Sequence, residues 1–353
     1  MFETLKVWWV ILTQVGPLGS TRRYSDMWIR LFVAETLDEE GLFDYLAEPR
    51  NYGQIIARFG FVDSPYTREV LEALCSGKDN LLIKEDGRYR RNPDVPLPTF
   101  DDVVQHTPKR LHGMTILRDF ARRIPARMRQ EPIDFVHRFE EEGPAVFSFD
   151  QSLSMKVYAA LRNAAFAFID ERELFGKRLL EVGCGSGYET ADIWLRLKGD
   201  IQITAIDPVP GLLNLAAEQF SEIVSKSDHR GVPPLTGANR PSFHLMSAMD
   251  IAFPDQSFDA VYHSLLLHWV PDPRHAIQEM VRVLKPGGLV FGTQITRPLA
   301  SPYMNLINQV HENVYGYFWE EEFKRWYEQA GVSLSVTTPA GIFKGRKFVS
   351  DGL

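Results

Sequence analysis

The residues whose spacing most clearly suggests chemistry are three glycines at alternate positions, Gly183, Gly185 and Gly187, with Glu181 two places before them. Glycine has no Cβ, so a backbone of this composition can turn tightly and come close to a bound molecule. Asp207 follows about 20 residues after the last glycine. A carboxylate at that distance suits a ribose, because it can accept a hydrogen bond from each of two hydroxyls. The spacing therefore predicts a site for a ligand that contains a nucleoside.

The residues on either side of the glycines predict the elements that would position them. Leu179 to Val182 form a short, largely apolar run, which is typical of a strand buried on both faces. Residues 189–195 predict a helix after the glycine turn, and the run 201–206 predicts a second strand that ends at Asp207. A strand, a glycine turn and a helix N-terminus form a ligand crevice at the carboxyl edge of an open sheet. The fold class is therefore α/β.

The glycine spacing also distinguishes between two kinds of nucleotide ligand. A dinucleotide fingerprint reads G-x-G-x-x-G, and counted from Gly183 its third glycine would fall on Tyr188. The observed pattern, E-x-G-x-G-x-G, resembles the first motif of the class I S-adenosylmethionine (SAM)-dependent methyltransferases. This resemblance implies a Rossmann-like domain of seven strands over residues 174–353. It also implies SAM as the cofactor, with contacts from Glu181, Gly183, Gly185, Gly187 and Asp207.

Further strings extend the resemblance beyond the second strand. Residues 253–262 (FPDQSFDAVY), 268–273 (HWVPDP) and 285–288 (KPGG) are similar to strings around the fourth and fifth strands of that family. The alignment places Ser247 where the family usually has an aspartate that accepts from the adenine amino group, which is a departure. The other cofactor contacts that the resemblance implies are Ala248 and Met249 beside the adenine, and His263 and Ser264 beside the methionine part of SAM.

His268 is the candidate catalytic residue. In the plant-type O-methyltransferases that the chain resembles, a histidine at the matching offset after the fourth strand is the general base. An imidazole titrates at about pH 6.5 and can take a proton at physiological pH. The alternative is that His268 only shapes the turn after the fourth strand. No metal site is expected, because the histidines lack tight ligand spacing. The residues expected to bind the substrate are Phe149, Met155, Tyr303, His311 and Tyr315.

The amino-terminal part of the chain predicts three helices followed by a hairpin. The helices are predicted at 41–47, 51–59 and 64–76, and the strands at 80–84 and 88–91. This layout predicts a winged helix and resembles the dimerisation domain of small-molecule methyltransferases, which implies a homodimer. DNA binding is disfavoured, because the third helix carries two glutamates, Glu69 and Glu72, beside its one arginine.

Length and composition limit the remaining possibilities. A chain of 353 residues favours more than one domain, and we expect divisions at 1–100 (helical and winged helix), 101–173 (helical linker and substrate cap) and 174–353 (catalytic). The net charge of −7 argues against a nucleic-acid partner. Two cysteines provide no disulfide framework, and the apolar run 7–12 is too short to cross a bilayer. A cytoplasmic protein without a membrane partner is the expectation.

The expected function is transfer of a methyl group from SAM to a hydroxyl of a largely apolar or aromatic small molecule. Three alternatives stay open. The first is methylation of a carbon atom of a small isoprenoid or keto-acid type of substrate. The second is a winged-helix regulator that senses SAM, and the third is an NAD-dependent dehydrogenase, which Tyr188 and the VLKPGG string oppose.

Overall fold

The computed structural model groups the chain into two compact units that alternate along the sequence. The first unit comprises residues 1–17, 136–299 and 317–353, and the second comprises 18–135 and 300–316. The division into domains at residues 100 and 173 stays a prediction. The structure describes residues 2–14, 18–107, 115–131, 146, 150, 153–154, 156–227, 231, 233–297, 301–311, 313–337 and 341–349.

The first unit is built on a sheet of seven strands. In chain order these are β1 (Arg178–Val182), β2 (Gln202–Asp207), β3 (Ser242–Leu245), β4 (Phe258–Ser264), β5 (Leu284–Thr293), β6 (Val332–Thr337) and β7 (Ile342–Lys347). Their order across the sheet is β3-β2-β1-β4-β5-β7-β6, with β1 to β5 parallel and β7 antiparallel to both of its neighbours. The predicted Rossmann-like, mostly parallel sheet of seven strands is thus confirmed.

Helices flank this sheet, and the sequence explains where the helix Pro273–Val283 begins. The helices of the first unit are Phe2–Gln14, Lys156–Ala167, Tyr188–Arg196, Pro210–Lys226, Pro273–Val283 and Glu320–Gln329, with a short 3₁₀ helix at Glu171–Leu174. Asp272 accepts a hydrogen bond from the backbone N–H of His275 at 3.0 Å, and Pro273 occupies the first helical position. The proline and aspartate of the HWVPDP string therefore start this helix.

The core of the first unit lies on both faces of the sheet. On one face Val182, Val261 and Ile277 are buried in one apolar cluster. On the other face Phe166 packs edge-on against Phe291 with ring centroids 5.3 Å apart. Burial on both faces is the reason that the parallel strands read as continuous apolar runs rather than as alternating ones.

The KPGG string lies within a strand in the structure. Residues 285–288, which resemble the family's turn before the fifth strand, are part of β5, which begins at Leu284. The pairing with β4 shifts between Phe258, which lies opposite Leu284, and Ala260, which lies opposite Leu289. A bulge of this kind inserts extra residues without ending the strand, and the φ of 74° at Gly287 accommodates it.

The second unit is mostly helical. Its helices are Leu18–Glu39, Leu42–Tyr45, Tyr52–Phe59, Pro65–Leu74, Phe100–His106, Thr115–Ala121, Ile124–Met128 and Pro302–Asn308. A small antiparallel sheet contains Leu82–Glu85 and Arg88–Arg91, and Arg50–Asn51 adds a third strand that the sequence analysis did not predict. Asn51 also caps the helix that follows, through a reciprocal pair of hydrogen bonds with Gln54. Among the described residues, no helix has the length and apolar character needed to cross a membrane.

Candidate active site

The glycine turn after β1 has a backbone that only glycine adopts easily. Gly183, Gly185 and Gly187 have φ values of 76°, 53° and 82°. A Cβ on Gly187 would lie 2.9 Å from both Cα and the carbonyl oxygen of Ala216, which are backbone atoms of the helix Pro210–Lys226. The last glycine therefore permits a close contact between two backbones, whereas the other two face flexible ends of leucine side chains.

Asp207 connects the glycine turn to the end of β2. Its Oδ2 accepts a hydrogen bond from the N–H of Gly185, and its Oδ1 accepts one from the N–H of Val209, both at 2.9 Å. Burial raises the pKa of this carboxyl to about 6, and the two backbone hydrogen bonds oppose that rise. Each carboxylate oxygen has two lone pairs, so each can still accept a hydrogen bond from a ligand.

Glu181 lies beneath the same turn, within β1. Its side chain is buried, and its Oε2 accepts a hydrogen bond from the hydroxyl of Thr190 at 2.6 Å. Burial, assisted by the negative charge of Glu189, raises the pKa of the carboxyl to about 8. Among the described residues, Oε1 of Glu181 has no hydrogen-bond partner. The group is thus largely protonated at neutral pH and anchors the first turn of the helix Tyr188–Arg196.

The loop after β3 contains the residues expected beside the adenine. Ser247 accepts a hydrogen bond from the N–H of Met249 at 3.1 Å, while Ala248 is buried. The carbonyl oxygen of Met249 lies 3.0 Å from Nε2 of His275, on the helix Pro273–Val283. The serine that replaces the usual aspartate therefore uses its oxygen to fix the loop, and this oxygen keeps one lone pair for a further donor.

The two residues at the end of β4 point to opposite faces of the sheet. His263 is fully buried, its Nε2 lies 2.7 Å from the hydroxyl of Tyr327, and its ring centroid lies 4.7 Å from that of Phe343. Burial lowers the pKa of His263 to about 3. Ser264 instead lies 2.7 Å from the hydroxyl of Thr293 on β5. The structure gives His263 contacts with the apolar layer behind the sheet, while its backbone pairs with Val182 just before the glycine turn.

His268 occupies the loop that follows β4. Its side chain is almost fully buried, and its ring stacks on Tyr317 with centroids 4.5 Å apart and an interplanar angle of 16°. Burial lowers the pKa of the imidazole to about 3. Its Nδ1 lies 3.2 Å from the side-chain amide nitrogen of Gln294. A ring in this environment is neutral throughout the physiological pH range.

Gln294, which the sequence analysis did not single out, is the residue that holds His268. It directly follows β5 and is fully buried. Its Oε1 accepts a hydrogen bond from the N–H of Leu267 at 3.0 Å, and its Nε2 donates to the carbonyl oxygen of Ile295 at 3.0 Å. The one sequence signal for Gln294 is a polar residue at the carboxyl end of a buried strand, where ligands of α/β sheets bind.

Of the five residues predicted to bind substrate, Tyr303, His311 and Tyr315 belong to the second unit. There Tyr303 is buried, His311 packs edge-on against Phe120 with centroids 5.2 Å apart, and Tyr315 is exposed. Phe149 and Met155 lie outside the described residues. Among the described residues, no group of three or more metal-ligating side chains is assembled.

The matches to known proteins agree with this geometry. Residues 180–292 match the family model described as a methyltransferase domain. Over these residues, about a third of the chain, the sequence is similar to that family. Methyltransferases of this fold use SAM as the methyl donor, and the matches support a SAM-dependent methyltransferase.

The proteins similar to this chain include both O- and C-methyltransferases. The 27-O-demethylrifamycin SV methyltransferase of Amycolatopsis mediterranei is 34% identical over 113 residues, which cover 32% of this chain and 36% of that protein. The structure of the CurJ carbon methyltransferase has a TM-score of 0.71 at 14% identity, covering 97% of this chain and 96% of that one. An O-methyltransferase family protein from Burkholderia thailandensis has a TM-score of 0.56 at 16% identity, covering 96% and 99%.

At 14% and 16% identity, the likeness to these two structures shows the fold alone. Two of the curated relatives are covered by the chain over 27% and 36% of their own lengths.

Proposed function

We propose that the chain transfers the methyl group of SAM to a small-molecule acceptor. The observation that carries this proposal is Asp207, whose two carboxylate oxygens are aligned by the backbone of the glycine turn and of Val209 and still have lone pairs for ligand hydroxyls. A ribose offers two neighbouring hydroxyls that match this pair of acceptors.

The residues around Asp207 fit the rest of the SAM molecule in addition to its ribose. The glycine turn lets backbone approach a ligand at the carboxyl edge of β1, where a side chain would otherwise stand. Glu181 and Ser264 lie within β1 and at the end of β4, the two adjacent strands at the centre of the crevice. When bound, SAM supplies a methyl group that its positively charged sulfur already activates. The chain must then align the acceptor and exclude water.

Isothermal titration of SAM against Asp207→Ala tests the proposal. Hydrogen bonds to a charged group contribute about 1.5–3 kcal/mol each, so the loss of two should weaken SAM binding by about 10²–10⁴-fold. Asp200→Ala is the matched control, because Asp200 is an exposed aspartate just before the opposite end of β2. Thermal unfolding of both variants checks that they are folded.

Two results would contradict the assignment. If Asp207→Ala is folded and binds SAM as tightly as Asp200→Ala does, Asp207 does not hold the ribose. Binding of NAD in place of SAM by the unaltered chain would indicate an NAD-dependent dehydrogenase instead of a methyltransferase.

The acceptor atom that we propose is a hydroxyl oxygen of a largely apolar compound. His268 supplies the polar group of such a site, and its stacking on Tyr317 supplies an aromatic surface beside it. Methylation of a carbon atom is the second candidate. Burial lowers the pKa of His268, which makes the ring a weak base in either reaction.

We further propose that the second unit contains a winged helix that pairs two copies of the chain. The helices Tyr52–Phe59 and Pro65–Leu74 and the three-stranded sheet support this assignment. Within it Glu72 accepts hydrogen bonds from Lys84 and from the hydroxyl of Tyr89. The carboxylate on this helix therefore binds side chains of the hairpin in the same unit, and its negative charge disfavours binding of a polyanion such as DNA. Light scattering of the full chain should give twice the mass of one copy, and a single-copy mass at micromolar concentration would contradict the pairing.

A further inference from the structure

We infer that Gln294 is a positioning residue that holds His268 in the tautomer with its proton on Nε2, so that His268 donates a hydrogen bond to the acceptor molecule instead of taking its proton. The inference rests on the proposed function for the identity of the reaction. The tautomer itself follows from contacts within the chain.

The orientation of the Gln294 amide is fixed from two sides. The backbone N–H of Leu267 can only donate, and it lies 3.0 Å from one end of the amide, which must therefore be the oxygen. The carbonyl oxygen of Ile295 can only accept, and it lies 3.0 Å from the other end, which must be the NH₂ group. Rotating the amide by half a turn would place two donors together and two acceptors together.

This orientation determines the tautomer of the histidine. The NH₂ group of Gln294 has two hydrogens, one for Ile295 and one for the ring nitrogen 3.2 Å away. Nδ1 of His268 must then present a lone pair. A neutral imidazole has one proton, so this proton is on Nε2. Burial keeps the ring neutral, because it disfavours the charged form.

The tautomer sets what His268 can do for an acceptor molecule. Among the described residues, the hydrogen-bond contact of the His268 ring is the one at Nδ1, so the N–H at Nε2 is the group assigned to the acceptor molecule. A ligand atom at Nε2 must offer a lone pair, as a carbonyl, an enolate or a hydroxyl, neutral or ionised, does. A hydrogen bond donated to such an oxygen stabilises its anionic form. The class of acceptor is therefore a compound whose reactive group ionises readily without a protein base, such as a phenol or an enol.

Nuclear magnetic resonance of the full chain, labelled with ¹⁵N in its histidines, measures the tautomer directly. Long-range proton–nitrogen correlations show which ring nitrogen is protonated, and His268→Phe identifies the signals of His268 by their loss. At neutral pH we expect Nε2 to be protonated and Nδ1 to be bare, with a bias of about tenfold from the Gln294 hydrogen bond. A protonated Nδ1 in the unaltered chain would overturn the inference.

Gln294→Glu provides the decisive comparison, because a free histidine also prefers the Nε2–H form. An ionised carboxylate can accept but not donate, so it should move the proton of His268 to Nδ1 or add a second proton to the ring. Because burial raises the pKa of a carboxyl, the spectra are recorded from neutral to alkaline pH, where the introduced group ionises. The signals of His263, whose tautomer depends on Tyr327, should stay unchanged and are the internal control. A His268 pattern that is the same in Gln294→Glu and in the unaltered chain would show that Gln294 has a merely structural role.

A second variant covers the case in which a buried carboxylate prevents folding. Gln294→Met has a similar length and no donor, so we expect it to remove the tenfold bias without reversing the tautomer. Neither measurement uses SAM or an acceptor. If SAM fails to bind while the tautomers behave as expected, the proposed function is wrong and the role of Gln294 stands. If SAM binds but the tautomers do not behave as expected, the proposed function stands and the role of Gln294 is wrong.

Discussion

Replacing Gly187 by alanine should destabilise the first unit strongly. Gly187 has a φ of 82°, and a side chain in this left-handed region costs about 1–2 kcal/mol. The new Cβ would also lie 2.9 Å from two backbone atoms of Ala216, so the helix Pro210–Lys226 has to move. Overpacking of this kind costs about 1–3 kcal/mol. The two effects together predict a loss of about 2–5 kcal/mol in the free energy of unfolding.

Differential scanning calorimetry is the suitable assay, because the chain has two units that can unfold in separate transitions. A loss of 1 kcal/mol shifts Tm by about 2–4 °C in a unit of 150–250 residues, so the transition of the first unit should fall by about 4–20 °C. The transition that SAM raises identifies this unit, since a ligand stabilises only the part that it binds.

Gly237→Ala is the matched control. Gly237 has no positive φ, and a Cβ there would meet no heavy atom within 4 Å. Its effect should stay within about 0.5 kcal/mol, as for other surface substitutions. Equal Tm values for the two alanine variants would refute the reasoning, since neither the backbone strain nor the contact with Ala216 would then be real.

Two further predictions concern ionisable groups. The pKa of the Glu181 carboxyl is about 8 in the native state and about 4.5 in the unfolded chain, so stability falls as the pH rises from about 4.5 to 8 and levels off above that. Relative to the unaltered chain, Glu181→Gln should therefore gain about 2–3 kcal/mol in the free energy of unfolding between pH about 6 and 9, measured by urea unfolding. A difference that does not change with pH would contradict this. Once an acceptor is found, His268→Leu should lower kcat by about 10²–10³ because it removes a hydrogen-bond donor. His268→Gln keeps a donor, so its kcat should stay within about tenfold of that of the unaltered chain. Equal losses of about 10²–10⁴ in both variants would instead show that His268 acts as a general base.

The sequence was sufficient for the parts of the site whose residues are close together along the chain. The glycines and Asp207 belong to one strand–helix–strand unit, so their spacing alone predicts that they meet, and the structure joins Gly185 to Asp207 by a hydrogen bond. Gln294 could not be found in this way. Its partner Leu267 belongs to another loop, and the two meet only because β4 and β5 pair side by side.

The direction of a side chain at a strand end is a second property that the sequence left open. His263 and Ser264 are neighbours, and both were expected beside the methionine part of SAM. Successive residues of a strand point to opposite faces, so a single register decides which of them can turn towards a given side. In β4 the face of Val261 carries His263 towards Tyr327, and Ser264 points to the other side.

The charges of the site form a consistent pattern around the proposed reaction. Glu181 is largely protonated at neutral pH, and His268 is neutral because burial lowers its pKa to about 3. Methyl transfer from a sulfonium to an anionic oxygen or carbon brings opposite charges together and removes both. Neutral groups at Glu181 and His268 do not compete with the attraction between these charges, which grows as the effective dielectric constant falls. A neutral donor at Nε2 can orient the anion without cancelling its charge, which a protonated imidazole would do by returning a proton to it. The pairing of His268 with an amide at Gln294 instead of a carboxylate therefore suits an acceptor that arrives ionised.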